Sequence, residues 1–244
     1  MGKTGLTSVT FRKLTPDEII KLCVRARVDG IEWGGDVHVP AGNIALAKEI
    51  GKKTRDAGLE TFSYGSYYNL GDGTQSFSDV SKTAFGLGAC VIRIWTGFGE
   101  FDAERYKKAI KETREIADIA AENNQTICFE FHAGTINDSG ASGLKLIDDI
   151  GKDNVFTYWQ PIYDLESDIN SLSVIKGKVK NVHVFHWKSY EERYALSEGV
   201  DKWRKYVDIL GKEHHNYLLE FVKNDSPEQF LLDAAVLKKL IGAK

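Results

Sequence analysis

Eight short apolar runs alternate along this chain with eight helix-like stretches, and few folds accept that rhythm. The strand-like runs fall near residues 6–11, 29–33, 59–64, 90–95, 126–131, 155–160, 180–185 and 217–222. The helix-like stretches fall near 16–27, 43–57, 75–88, 103–123, 141–150, 165–177, 200–211 and 227–241. The runs are mostly apolar at successive positions, as parallel strands covered by helices must be. In 103–123, Tyr106, Ala109, Ile110, Ile116, Ala117, Ile119 and Ala120 share one face, with Lys and Glu on the other. Thr15-Pro16-Asp17-Glu18 and Ser226-Pro227-Glu228-Gln229 each combine a capping hydroxyl, proline at the first helical position and Glu or Gln at the third. Gly30, Gly58, Gly88, Gly151 and Gly211 stand where a helix stop is expected before the next strand.

A length of 244 residues suits one closed (β/α)8 TIM barrel over residues 1–244, with no Pro/Ser-rich linker to divide it. The rival, an open doubly wound sheet, would usually carry a Gly-rich phosphate turn after its first strand, and none is present. Gly2-Lys3-Thr4 resembles only the tail of a phosphate loop and lacks the earlier glycine and strand. A net charge of -3 gives no footprint for nucleic acid or an anionic membrane. No apolar run approaches the length of a membrane span, and the N-terminal residues show no signal-peptide core. Cys23, Cys90 and Cys128 are odd in number and scattered, so they read as small buried apolar residues in a reducing compartment. A cytoplasmic protein is the expectation.

In such a barrel, chemistry belongs at the C-terminal ends of the strands. Four polar side chains fall there, on the fifth to eighth runs: Glu130, Gln160, His183 and Glu220. A carboxylate in an apolar strand is unfavourable unless it is paired, hydrogen-bonded or metal-bound. Two carboxylates, an imidazole and an amide oxygen brought to one point would hold a single divalent metal ion. Read singly, each has a plainer explanation, a Glu satisfied by a neighbouring Lys or His, or a core histidine. His132 and His186 lie near the same ends. Trp33, Tyr64, Tyr67, Tyr68, Arg93, Trp95, Trp159 and Trp187 are candidates to line the mouth, where aromatic walls suit a sugar. Glu32 and Arg193 are read either as substrate contacts or as surface pairs, His38 as a solvated loop residue, and His214 and His215 as surface.

Phe11-Arg12-Lys13-Leu14, Gly30-Ile31-Glu32-Trp33-Gly34-Gly35-Asp36, Glu130-Phe131-His132, Asn181-Val182-His183-Val184 and Leu219-Glu220-Phe221-Val222 resemble the sugar phosphate isomerase/epimerase family of xylose isomerase-like TIM barrels. The resemblance covers nearly the whole chain. It implies one divalent ion, Mn, Co, Mg or Zn, held by Glu130, His183 and Glu220, with Gln160 where the family usually has Asp. A histidine often follows that Asp by three residues, and Tyr163 stands there instead. Phe185-His186-Trp187 replaces the usual Lys-Asp after the seventh-strand histidine. Gln160 lowers the negative charge of the ligand set, which predicts weaker metal binding and a more Lewis-acidic ion.

The expected activity is isomerisation or epimerisation of a sugar or sugar phosphate through an enediolate, with Glu130 and Glu220 as acid and base. His132, His186, Arg193, Trp33, Tyr64 and Trp95 are the expected substrate contacts. The same intermediate would serve a lyase or dehydratase of a keto-sugar or keto-inositol. A non-catalytic sugar-binding barrel is the reading from another class, and Gln160 is its best support. An abasic-site endonuclease fits poorly, because six histidines fall short of a three-metal site. The aromatic mouth is compatible with a homodimer that closes it.

Overall fold

A computed structural model describing residues 2–99, 102–211 and 215–243 shows a closed barrel of eight parallel strands in sequential order, ringed by eight helices. The strands are β1 (Lys3–Thr7), β2 (Gly30–Gly34), β3 (Glu60–Asn69), β4 (Val91–Trp95), β5 (Thr126–Phe129), β6 (Val155–Trp159), β7 (Val179–Val184) and β8 (Asn216–Leu219). They alternate with α1 (Pro16–Ala26), α2 (Ile44–Asp56), α3 (Phe77–Leu87), α4 (Ala103–Glu122), α5 (Gly140–Ile150), α6 (Leu165–Ile175), α7 (Val200–Leu210) and α8 (Pro227–Ile241). β8 pairs with β1, Lys3 to Asn216 through Leu6 to Leu219, so no strand edge is left open.

The helix caps form as the sequence predicts. Thr15 and Glu18 make a reciprocal capping box on α1, and Ser226 accepts from Gln229 N on α8. The first strand does not fall where its apolar residues point. It ends at Thr7, and Ser8–Phe11 form a buried 3-10 turn. That turn folds over the barrel end, where Ser8 Oγ accepts from Gly34 N and Thr10 Oγ1 accepts from Phe221 N. Gly30 is not a helix stop either, since Arg27 takes the left-handed cap of α1 at φ 55°. Gly30 instead begins β2, where the close approach of Phe62 requires glycine: a Cβ there would stand 2.7 Å from the Phe62 ring. Cys23 and Cys128 are buried as expected, but Cys90 is exposed.

The barrel interior is layered. Phe62, Cys128, Tyr158 and Leu218 pack together toward one end. A register shift between β2 and β3 lets successive residues of β3 reach inward: Phe62 joins that layer, and Ser63 donates to Glu32 above it. The outer face of the sheet packs under the helices, with Trp33 beneath α2 and Trp159 against Trp203 and Tyr206 of α7. No helix among the described residues is long and apolar enough to cross a membrane.

Candidate metal centre

Glu130, Gln160 and Glu220 each sit one residue beyond the last residue of β5, β6 and β8, and His183 lies inside β7. Backbone bonds hold two of them in register past their strands: Glu130 N donates to Ile94 O, and Glu220 N donates to Val184 O. Asn137 Nδ2 also donates to Glu130 O. The four side chains therefore converge on a fixed frame at the C-terminal mouth. All four are buried, between 0% and 6% exposed.

His183 is the centre of the group. Its Nδ1 lies 3.1 Å from Gln160 Oε1, 3.4 Å from Glu130 Oε1 and 3.4 Å from Glu220 Oε2. One ligand atom from each of Glu130, His183 and Glu220 lies within 4.8 Å of the others, a spacing that a single cation can bridge.

Beneath this group lies a second, fully buried one. Glu32 Oε1 accepts from Arg93 Nε at 3.0 Å, and Glu32 Oε2 accepts from Ser63 Oγ at 2.8 Å and Tyr158 OH at 2.6 Å. Tyr158 OH in turn accepts from Asn181 Nδ2. Arg93 reaches upward as well, and its Nη1 pairs with Glu130 Oε2. Burial alone would raise the Glu32 carboxyl, but the charge of Arg93, the contacts with His183 and the Tyr158 hydroxyl outweigh it and hold the group well below the usual carboxylate range.

The charges explain why a cation suits the place. Glu32, Glu130 and Glu220 set three formal negative charges against the single guanidinium of Arg93, all of them buried. Two charges are left over, which a divalent ion would neutralise. The donor set of two carboxylates, one imidazole nitrogen and one amide oxygen fits such an ion.

The expected substrate contacts divide. Trp95 and His132 meet at the mouth, their rings 5.1 Å apart and both packed against the exposed Phe98. Trp33 and Tyr64 do not reach it. Trp33 is wholly buried on the helix side of the sheet and donates to Thr54 Oγ1 of α2, while Tyr64 is equally buried and donates to Val39 O. Strand alternation is the reason: their neighbours Glu32 and Ser63 face the interior. His186 turns away from the cluster, packing on Gly199 at the start of α7 and on Tyr194. Arg193 is already paired, 2.5 Å from Asp225 and within 4.4 Å and 5.0 Å of the Tyr190 and Phe221 ring centroids.

Other expectations are corrected too. Glu32 forms no surface pair but lies at the heart of the barrel. His38 is buried rather than solvated, with Nδ1 on Ser8 Oγ and Nε2 on Leu14 O. His215 is buried against Leu210 O, and His214 lies outside the described residues. Tyr67 gains importance: its backbone is left-handed at φ 59°, and its ring lies 5.6 Å from the Arg93 guanidinium. Phe221, next to Glu220, is also left-handed, at φ 48°. Such strain in non-glycine residues collects where geometry is imposed by a site. Arg93 and Glu32 could have been matched from sequence, because each is a lone charge in an apolar strand and the two have opposite signs.

A family model described as xylose isomerase-like TIM barrel matches residues 20–240. No curated protein sequence matches the chain at a significant level. Solved structures share the fold at low identity. A probable 3-DHS dehydratase, AsbF, from Bacillus anthracis superposes with a TM-score of 0.80 at 17% identity, covering 98% of this chain and 99% of its own. The IolI protein with a bound zinc atom gives 0.81 at 15% identity, covering 98% of each chain. A D-psicose 3-epimerase crystallised with D-fructose gives 0.78 at 15% identity, covering 99% of this chain and 100% of its own.

Proposed function

This chain belongs to the xylose isomerase-like TIM barrel family, and from that premise we propose that it is a divalent-metal-dependent isomerase or epimerase of a sugar or sugar phosphate. The observation that carries the reading is the convergence of Glu130, Gln160 and Glu220 on His183 Nδ1, over a buried charge balance that lacks two positive charges. Among structures of the same fold, one holds zinc and another is a ketose epimerase, which agrees with this reading.

Glu130, Gln160, His183 and Glu220 would hold the ion. Bound there, it supplies Lewis acidity to a substrate carbonyl and its neighbouring hydroxyl. The chain's own groups do the rest. Glu130 and Glu220 come from β5 and β8, so they approach the space above His183 from different sides of the barrel mouth. One takes the proton from the carbon next to the carbonyl, and the other returns a proton. Return to the opposite face of the same carbon inverts it, and return to the adjacent carbon exchanges aldose and ketose. Arg93, held between Glu32 and Glu130, keeps a fixed positive charge close to the enediolate as it forms. Trp95 and His132 offer ring faces to the substrate's C–H surface.

The test joins metal analysis to isotope exchange. Elemental analysis of the wild type should find about one divalent ion per chain, and Glu220→Gln should hold much less. In D2O, the loaded wild type should exchange the proton next to the carbonyl of at least one ketose in a panel. Absence of metal after loading with Mn, Co or Zn would refute the reading, and exchange with stoichiometric loss of water would reassign the protein to the dehydratases.

A further inference from the structure

Arg12 and Lys13 follow the 3-10 turn that folds over the barrel end, and neither takes part in the metal centre. Both line a cavity of about 490 Å3 at the C-terminal mouth. Its other walls include Tyr190, after β7, and Phe221, Asn224 and Asp225, after β8. Phe221 directly follows Glu220, so the cavity begins one residue from a proposed metal ligand.

Arg12 is held in a fixed orientation. Its Nε donates to Asp36 Oδ2 at 2.7 Å, its Nη2 to Tyr67 OH at 3.1 Å and its Nη1 to Val9 O at 3.3 Å. The guanidinium carbon stands 5.5 Å from the centroid of the Phe221 ring, which Trp187 braces in a near-parallel stack at 17°. A guanidinium carries five N–H donors, so Arg12 keeps two, one on each terminal nitrogen. Such a fork suits the paired oxygens of a carboxylate or phosphate.

The charge around the cavity is positive. Lys13 is exposed and has no ion-pair partner among the described residues. Asp225 is paired with Arg193, and Asp36 with Arg12. Arg12, Lys13 and Arg193 thus set three positive charges against two carboxylates. Tyr67 joins the cavity to the metal centre: its hydroxyl accepts from Arg12, and its ring lies 5.6 Å from the guanidinium of Arg93, which pairs with Glu130. The gap is close to the length of a tyrosine side chain, which the carbon chain of a pentose or hexose also spans.

We propose that this cavity holds an anionic group, phosphate or carboxylate, at the end of the substrate far from the reacting carbon, with Arg12 as its main contact and Lys13 as a second charge. The substrate is then a sugar phosphate or a sugar acid, not a neutral sugar. This rests on the metal-centre reading for which carbon reacts, but the anion site itself exists without metal.

Titration calorimetry on the full chain, metal-free and zinc-loaded, tests it. D-fructose is compared with D-fructose 6-phosphate and D-fructuronate, and D-ribulose with D-ribulose 5-phosphate. Within each set only the terminal carbon differs, and the phosphate and carboxylate arms tell the two anions apart. In the wild type at least one charged ketose should bind roughly tenfold or more tightly than its neutral counterpart, and added NaCl should shrink that advantage. Arg12→Gln should bring the charged ketose down to the affinity of the neutral one, and Lys13→Gln should weaken it several-fold. Equal binding of neutral and charged ketoses by the wild type overturns the proposal. So does an advantage that persists in Arg12→Gln, or one seen only with zinc, which would place the anion on the ion. Should Arg12→Gln not fold, Lys13→Gln carries the test, and wild-type affinity there overturns the proposal. An Arg12-dependent preference in a chain that binds no divalent ion and exchanges no proton would refute the metal-centre reading and leave the anion site standing. Metal binding and proton exchange with equal affinity for neutral and charged ketoses would do the reverse.

Discussion

Gln160 places its Oε1 3.1 Å from His183 Nδ1, in the position from which an aspartate would have added a third carboxylate to the cluster. The amide keeps an oxygen donor there and removes a charge. Because Arg93 and Glu32 already neutralise one another, Glu130 and Glu220 are left to balance a divalent ion with no surplus. On the proposed reading, such a centre would bind a divalent ion less tightly than one with three carboxylates and would better accommodate the negative charge of an enediolate.

Gln160→Asp should therefore tighten metal binding by about tenfold or more, on the order of 1.4 kcal/mol, when Mn or Zn affinity is measured by calorimetry. Turnover on the substrate found by the exchange screen should not rise in step, because the added charge opposes the enediolate. Unchanged affinity would mean that residue 160 does not reach the ion.

Glu130 and Glu220 are expected to differ when each is replaced by glutamine. Both variants should lower proton exchange by roughly 10²–10⁴-fold, the usual range for loss of a positioned acid or base. Glu130→Gln also removes the partner of Arg93 Nη1 inside the barrel, so it alone should lower the melting temperature clearly. Circular dichroism melts beside exchange rates would separate the two effects. Equal stability of the variants would show that the Arg93–Glu130 pair contributes little.

Trp33 tests the difference between what strand ends suggest and what they build. Its indole lies under α2 with Nε1 on Thr54 Oγ1, so Trp33→Phe should lose about 1–2 kcal/mol of stability and leave the KM of the found substrate unchanged. A raised KM with unaltered stability would return Trp33 to the substrate site.

The barrel was legible because its evidence is periodic: every strand lies between helices, and the caps at Thr15 and Ser226 mark helix starts by chemistry that acts over four residues. The clustering of Glu130, His183 and Glu220 was legible because charges at the ends of apolar strands are conspicuous. What escaped was anything that depends on facing direction. Trp33 and Glu32 are adjacent, and nothing local says which of them points inward. The bulge that brings both Phe62 and Ser63 into the interior breaks the simple alternation that would have answered it. The 3-10 turn at Ser8–Phe11 is as apolar as a strand, and only its bonds to Gly34 and Phe221, distant in sequence, give it its shape. Arg193 was judged by its position after the seventh strand, but Asp225, 32 residues on, had already claimed its charge.

Asp233 on α8 offers a test of stability away from the candidate site. Its Oδ1 accepts from Leu196 N at 2.9 Å and Gln229 Nε2 at 2.8 Å, and the residue is 3% exposed. Burial raises its carboxyl above the ordinary aspartate value, against the pull of those two bonds. A folded-state pKa above the unfolded one means that the native protein prefers the protonated acid. The resulting stabilisation is fully present below the unfolded value of about 3.9 and is lost as pH rises through the folded value. At neutral pH the ionised group is thus a liability. Asp233→Asn keeps the accepting oxygen and cannot ionise, so it should melt higher than the wild type at about pH 7. The advantage should shrink as pH falls through the aspartate range, where the wild-type carboxyl takes up its proton. Melting curves for the two proteins across that range check the prediction, and a constant difference at every pH would show that Asp233 is solvated well enough to ionise freely.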